Sequence, residues 1–368
     1  MKAGWERFMA SMLAALCATV LARMMPFYLQ LQAHKASEAA TTTEHSIAQL
    51  PVFFFHGLTD NARASRNYVT NSMAEGRKLI ALNFCENECS KTPLLPQIAL
   101  AIAQIRNNGY IFMGHSQGGV LSRAVIELMD DHDVKAYISL AGVQNGVFYG
   151  PQSDDVLPLR EFTSGFCAKV LPRSVFDTDT YASDDRRGKL QFDLNEVMLS
   201  DTNGQALYAF FNHFRSPQHD RWVKENVFLP MINSVNDCDH EDVSCKAAQQ
   251  KRRRNFLRLK AAHFFVSPQD NVISPWQTAI FGRYQEIDSS SSVAKEFDRL
   301  KIVDMKDTTE YTQDTFGLKT LDERGSLVLH VLPDLHHSCW IKDFPGREDM
   351  QPCVFQTLYE EHIYPVLH

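Results

Sequence analysis

The stretch Tyr110-Ile111-Phe112-Met113-Gly114-His115-Ser116-Gln117-Gly118-Gly119 decides how the rest of the chain is read. An apolar run of strand length ends in a G-x-S-x-G turn. Val120-Leu121-Ser122-Arg123-Ala124-Val125-Ile126-Glu127-Leu128-Met129 follows with helical spacing. Strand, tight turn and helix in that order form a nucleophile elbow, which lifts a serine oxygen above a sheet and aims it at a helix N-terminus. Glycines flank the serine because the turn strains its backbone and neighbouring side chains would collide. A bare G-x-S-x-G arises by chance in a chain with this much Gly and Ser; the strand before it and the helix after it give it meaning. The bland alternative is a glycine-rich turn that packs a helix close to a strand.

Upstream, Gln49-Leu50-Pro51-Val52-Phe53-Phe54-Phe55 is short, continuous and apolar, the pattern of a buried strand. It ends in His56-Gly57-Leu58-Thr59-Asp60. In open α/β sheets the ligand sits beyond the carboxyl ends of the strands, so this loop is expected to face the same crevice as Ser116. Residues 67–75 read as a helix, 78–84 as a strand and 95–105 as an amphipathic helix leading into the elbow strand. Downstream, residues 135–141 read as a further strand. Strands alternating with helices argue for an α/β architecture, a mostly parallel central sheet with helices on both faces.

That rhythm breaks between residues 150 and 250, where Pro, Asp, Phe and Tyr mix with short helical patches at 195–199 and 206–211. A long insertion between two sheet strands is the usual form of an active-site cap, placed here at about 150–258. Its aromatics Phe192, Tyr208, Phe210, Phe211, Phe214 and Trp222 are suited to line a groove for an apolar tail; the competing reading makes them the cap's own small core. Strand rhythm returns at Ala261-Ala262-His263-Phe264-Phe265-Val266 and runs into Ser267-Pro268-Gln269-Asp270. Residues 325–332 form the last expected strand, leading to His336-His337-Ser338, and residues 358–366 a closing helix.

The chain has 368 residues, 44% hydrophobic and 22% charged, which is ample for a large globular core. Net charge is −7, and the longest basic run, Lys251-Arg252-Arg253-Arg254, is short. It reads as a solvated helix face, and no nucleic-acid partner is expected. Lys2 and Arg7 precede an uncharged stretch from Phe8 to Ala22, the form of a secretory signal peptide over residues 1–22, with an uncleaved signal anchor as the alternative. Residues 23–46 read as a polar linker and 47–368 as the folded domain. No stable membrane span is expected after cleavage. Of eight cysteines, Cys17 lies in the signal. The remainder permit pairs Cys85–Cys89, Cys238–Cys245 and Cys339–Cys353, leaving Cys167 over; sequence alone does not set that pairing. No N-x-S/T sequon occurs.

A serine hydroxyl is a weak nucleophile, so a neutral imidazole must take its proton as the oxygen attacks a carbonyl. A buried carboxylate on the far ring nitrogen holds the tautomer and stabilises the imidazolium. The order Ser…Asp…His, each after a strand, is that of the α/β-hydrolase fold. Ser116, then Asp270, then His336 or His337 meet that requirement. The oxyanion needs preorganised N–H donors, for which the backbone amides of Gln117 and Leu58 are the candidates. This chemistry calls for no cofactor and no metal.

Taken together, these motifs resemble the palmitoyl-protein thioesterases, and within them the lysosomal thioesterase branch. The resemblance rests on Gly114-His115-Ser116-Gln117-Gly118-Gly119, Met129-Asp130-Asp131-His132-Asp133-Val134 and Lys251-Arg252-Arg253-Arg254-Asn255-Phe256-Leu257-Arg258-Leu259. It rests also on Pro268-Gln269-Asp270-Asn271-Val272-Ile273-Ser274-Pro275-Trp276-Gln277 and Tyr311-Thr312-Gln313-Asp314-Thr315-Phe316-Gly317-Leu318-Lys319-Thr320-Leu321. It implies the catalytic positions Ser116, Asp270 and, before Ser338-Cys339-Trp340, His337 rather than His336. The implied reaction is hydrolysis of a long-chain fatty acyl thioester, either an S-acylated protein or peptide or an acyl-CoA. The implied location is the secretory pathway, lysosomal or secreted. The rival readings are a lipase or carboxylesterase acting on oxygen esters and a non-catalytic lipid-binding protein of the same fold.

Overall fold

Alternate residues of a strand face opposite ways, and the apolar runs of this chain are buried in both directions. The computed structural model describes residues 50–105, 109–153, 155, 186–239, 241–347 and 350–368. The expected signal peptide, the linker and Cys167 lie outside the described residues.

The central sheet has six strands in the order β2-β1-β3-β4-β5-β8. These are β1 (Val52–Phe55), β2 (Leu79–Ala81), β3 (Tyr110–His115), β4 (Val134–Leu140), β5 (Ala261–Val266) and β8 (Leu327–Val331). A separate antiparallel pair, β6 (Arg283–Tyr284) and β7 (Ile302–Val303), lies between β5 and β8 in sequence. Every pairing in the six-stranded sheet is parallel, with Val52 opposite Ile111, Phe112 opposite Tyr137 and Ile138 opposite His263. In β1, Phe53 and Phe55 join one core layer while Val52 and Phe54 join the other. The first layer is covered by helices α2 (Leu94–Gln104) and α3 (Gln117–Leu128), which contribute Leu94, Ile98, Val120 and Leu121. The second is covered by Tyr68 of α1 (Arg66–Ala74) and by Phe355, Leu358, Tyr359 and Ile363 of the C-terminal segment.

The strand expected at 78–84 shrinks to three residues in β2 because the chain turns away through Cys85, at φ 46°, which is bonded to Cys89. The closing helix is continuous but contains a π-turn over Tyr359–Ile363. Pro365, which has no N–H to give to the preceding turn, follows two residues after it. Disulfides join Cys85–Cys89, Cys238–Cys245 and Cys339–Cys353.

Between β4 and β5 the described residues form two longer helices, α4 (Arg186–Ser200) and α9 (Val243–Phe256), with four short ones between them: α5 (Thr202–Leu207), α6 (Ala209–His213), α7 (His219–Glu225) and α8 (Leu229–Ile232). Two expectations are corrected here. Phe211, Phe214 and Trp222 are fully buried in a core layer continuous with the sheet, so they do not line an open groove; Phe192, Tyr208 and Phe210 pack half-buried against them. The basic run on α9 is likewise more than a solvated face. Arg252 is buried, Lys251 pairs with Asp130 at 2.7 Å, and Arg253 pairs with Asp314 at 2.5 Å.

Strand order reverses at β1, which has β2 on one flank and β3 on the other. Loops leaving β1 and β3 at their carboxyl ends therefore diverge to opposite faces and leave a crevice, the place where such sheets bind ligands. His56 and Ser116 are the residues that immediately follow those two strands.

Candidate active site

Ser116 sits at φ 56°, ψ −126°, between the end of β3 and the first turn of α3. A side chain rarely holds that conformation unless its surroundings impose it, and here backbone atoms do so from several directions. A Cβ on Gly114 would lie 2.3 Å from the Gly118 carbonyl oxygen, and one on Gly118 would lie 2.2 Å from that of Phe55. A Cβ on Gly119 would come within 2.7 Å of the Gly142 Cα. The helix thus crosses the sheet at a distance only glycine permits, and the turn is the expected elbow. The Ser116 amide donates to the Leu140 carbonyl at 3.0 Å, fixing the turn to β4 as well.

Across the crevice, a Cβ on Gly57 would be 3.2 Å from the Ser116 Cβ, so the loop after β1 faces the serine as expected. His56 pins that loop: its Nε2 lies 2.8 Å from the Phe84 carbonyl oxygen and its ring stacks on Phe84 at 5.0 Å. Among the described residues, neither the Leu58 amide nor the Gln117 amide donates a hydrogen bond. Both expected oxyanion donors are thus uncommitted, one on the residue after Ser116 and one on the residue after Gly57, which faces it.

Asp270 and His337 meet. His337 Nδ1 lies 2.9 Å from Asp270 Oδ2, and the carboxylate is fully buried while the imidazole is 12% exposed. The second carboxylate oxygen, Oδ1, accepts from the amides of Val272 and Ile273, each at 2.9 Å. The acid is therefore locked by its own turn and the imidazole by the acid. Asn271 adds a tie, accepting from the His337 amide at 3.1 Å. His336 points elsewhere: Ser338 Oγ is 3.2 Å from its Nδ1, and its ring packs edge-on against Phe344 at 4.1 Å. Of the two adjacent histidines only His337 reaches the acid.

His337 is brought to the serine's side of the sheet by His115. The two rings are 4.7 Å apart, and His115 Nε2 is 3.1 Å from the His337 carbonyl oxygen. Ser116 Oγ and His337 Nε2 have no hydrogen-bond partner among the described residues, so the structure assembles the imidazole and the acid but does not itself join the hydroxyl to the imidazole. Such bonds often form only when substrate is present.

Three contacts around the site involve side chains with no recognisable sequence signal. Asn271 and His115 are two. The third is Gln117, whose Nε2 donates to the Ser90 carbonyl at 2.9 Å and whose Oε1 is 2.9 Å from Nε2 of His213, at the end of α6. His213 and His115 are both buried, and burial pushes each down to about 3. The neighbouring His337 adds to the shift at His115. Both therefore act as neutral donors through Nε2–H. Their roles depend on partners more than ninety and two hundred residues away, as the separations of 96 and 222 attest, which no local pattern encodes.

A family model described as palmitoyl protein thioesterase matches residues 51–337. Lysosomal thioesterase PPT2 of Bos taurus is 28% identical over 337 residues, spanning 89% of this chain and 90% of its own. Lysosomal thioesterase PPT2 of Homo sapiens is 27% identical over 337 residues, spanning 89% and 91%. Among solved structures, the monoacylglycerol lipase of Paleococcus ferrophilus aligns with a TM-score of 0.39 at 10% identity, over 86% of this chain and 93% of that one.

Proposed function

The chain belongs to the palmitoyl protein thioesterase family, and from that premise we propose that it hydrolyses long-chain acyl thioesters through an acyl-enzyme on Ser116. The observation that carries this reading is the pair of His337 with the buried Asp270 at 2.9 Å, packed against the residue that precedes an elbow serine.

Ser116 Oγ attacks the thioester carbonyl carbon while its proton passes to His337 Nε2. Negative charge develops on the carbonyl oxygen and is met by the amides of Gln117 and Leu58. A missing donor of this kind costs roughly 3–4 kcal/mol of transition-state stabilisation. The C–S bond then breaks, and the sulfur leaves with the proton held by His337. Water next gives a proton to His337 and its oxygen to the acyl carbon. The fatty acid departs and Ser116 recovers its hydrogen, so the net reaction is thioester plus water to carboxylic acid plus thiol. Throughout, Asp270 keeps the imidazole in the Nδ1–H tautomer and balances its transient charge.

The substrate is an S-acylated protein or peptide or an acyl-CoA. The segment at about 150–258 acts as the cap over the acyl chain, with Phe192, Tyr208 and Phe210 as its half-buried aromatics. Three disulfides and the lysosomal relatives support a place in the secretory pathway, lysosomal or secreted. No helix among the described residues is long and apolar enough to cross a membrane.

The test is release of fatty acid from palmitoyl-CoA, from an S-palmitoyl peptide and from the matching oxygen ester, with wild type and Ser116→Ala. Serine-dependent release from the thioesters above that from the oxygen ester supports the reading. Preference for the oxygen ester would make the protein a lipase or carboxylesterase instead.

A further inference from the structure

We propose that His115 is a positioning residue for the catalytic histidine: its Nε2–H donates to the His337 carbonyl and ties the strand that carries the nucleophile to the loop that carries the base. The inference rests on the assignment of Ser116 and His337 above and adds a residue to that machinery.

His337 is held at three separate atoms. Its ring Nδ1 is fixed by Asp270, its amide by Asn271, and its carbonyl by His115. The first two anchors belong to one loop, the turn after β5. They hold His337 to β5 but leave it free to move relative to β3, where the serine sits. Only the third anchor comes from β3, and it comes from the residue bonded to Ser116. It therefore sets the distance between the hydroxyl and the imidazole. An error of about 1 Å in that distance is sufficient to lower a rate about 100-fold.

The contact also explains why the residue is an imidazole. Its ring lies 4.7 Å from that of His337, tilted by 41°, so it fills space as well as donating. The opposite ring atom, Nδ1, has no partner among the described residues and lies 3.6 Å from where a Cβ on Gly57 would be. One planar group thus spans the gap between the loop after β1 and the histidine loop. Burial, His337 and Lys342 all disfavour its charged form and together outweigh the opposing pull of Asp270, leaving His115 uncharged. A cation in this place would repel the imidazolium that His337 must become. A neutral donor of this shape positions the base without opposing its protonation.

The test compares His115→Phe, which keeps the ring and loses the donor, with His115→Gln, whose amide nitrogen can reach where Nε2 lies. Two rates are read on the full-length protein: labelling of Ser116 by a fluorophosphonate and turnover of palmitoyl-CoA. His115→Phe is expected to lower both the labelling rate and kcat by about 10- to 100-fold with KM within about twofold, and His115→Gln to recover most of the loss. Thermal melts establish that the variants are folded. If His115→Phe does not fold, His115→Asn, too short for the carbonyl, takes its place opposite the glutamine. A folded donor-less variant that labels at the wild-type rate overturns the proposal, as does a glutamine variant that is folded and equally slow. The labelling rate is independent of acyl substrate. Wild type that labels but leaves thioesters intact would therefore refute the thioesterase reading while the His115 comparison stands. Wild type that never labels would overturn both.

Discussion

At the scale of single residues, the site turns on which of two adjacent imidazoles reaches a carboxylate. His337 is bonded to Asp270, whereas His336 is buried among Phe344, Ser338 and the Cys339–Cys353 disulfide. His337→Ala is expected to abolish labelling of Ser116 by a fluorophosphonate, and His336→Ala to retain labelling while lowering the melting temperature. The reverse outcome would move the base to the neighbouring residue. Asp270→Asn keeps an oxygen for the Val272 and Ile273 amides but presents the wrong partner to His337 Nδ1. A loss in kcat on the order of 10⁴ follows, with the fold intact by circular dichroism. A loss of tenfold or less would mean that the carboxylate does little for the imidazole.

At the scale of elements, the crossing of α3 over the sheet sets the site's shape. Gly118→Ala would drive a Cβ to within 2.2 Å of a β1 backbone oxygen, which cannot rotate away. The helix must then shift, and Ser116 at its N-terminus shifts with it. Activity is expected to vanish even where the protein folds, so activity and melting temperature should be measured on the same preparation. A fully active, fully stable alanine variant is the result that contradicts this.

The segment between β4 and β5 is tied to the rest of the molecule by buried charges. Arg215, just after α6, pairs with fully buried Glu310 at 2.7 Å and also donates to Asn145 at 2.6 Å. Burial favours the neutral form of Glu310, but Arg215 and Arg283 outweigh it and hold its carboxyl below the usual range. Arg215→Met strands that carboxylate with the more distant Arg283, at 3.7 Å. A destabilisation of about 3–5 kcal/mol is expected in denaturant unfolding. A change of under about 1 kcal/mol would mean that the pair does not hold this segment in place.

At the scale of the whole molecule, the buried histidines set the response to acid. Burial pushes His115 and His213 down to about 3 and His132 to about 4. In the unfolded chain each would titrate near ~6.5, so below that pH the unfolded state binds more protons and stability falls. Each group contributes at most about 1.4 kcal/mol per pH unit between its two pKa values. Glu127, pushed up by burial to about 7 against the pull of Arg123 and Arg252, works in the other direction above ordinary carboxylate pKa values and offsets one histidine. The net expectation is a melting temperature that falls as pH drops from 7 to 4.5. A flat or rising profile across that range would contradict it.

The amino-acid sequence by itself determined the alternating strands and helices, the elbow at Ser116, and the order serine, acid, histidine behind successive strands. Those features are written in residues within a few positions of one another, where periodicity and turn chemistry are local. Choosing His337 over His336 needed a family resemblance, because neighbouring residues of one type look alike until something distant selects between them. Only the tertiary structure placed His115 on the His337 carbonyl, His213 on Gln117, and Arg252, Phe211, Phe214 and Trp222 in the interior. Each of these depends on segments far apart along the chain meeting in a packed core. Burial there sets both a side chain's partner and its charge, and neither is encoded in the spacing of its neighbours.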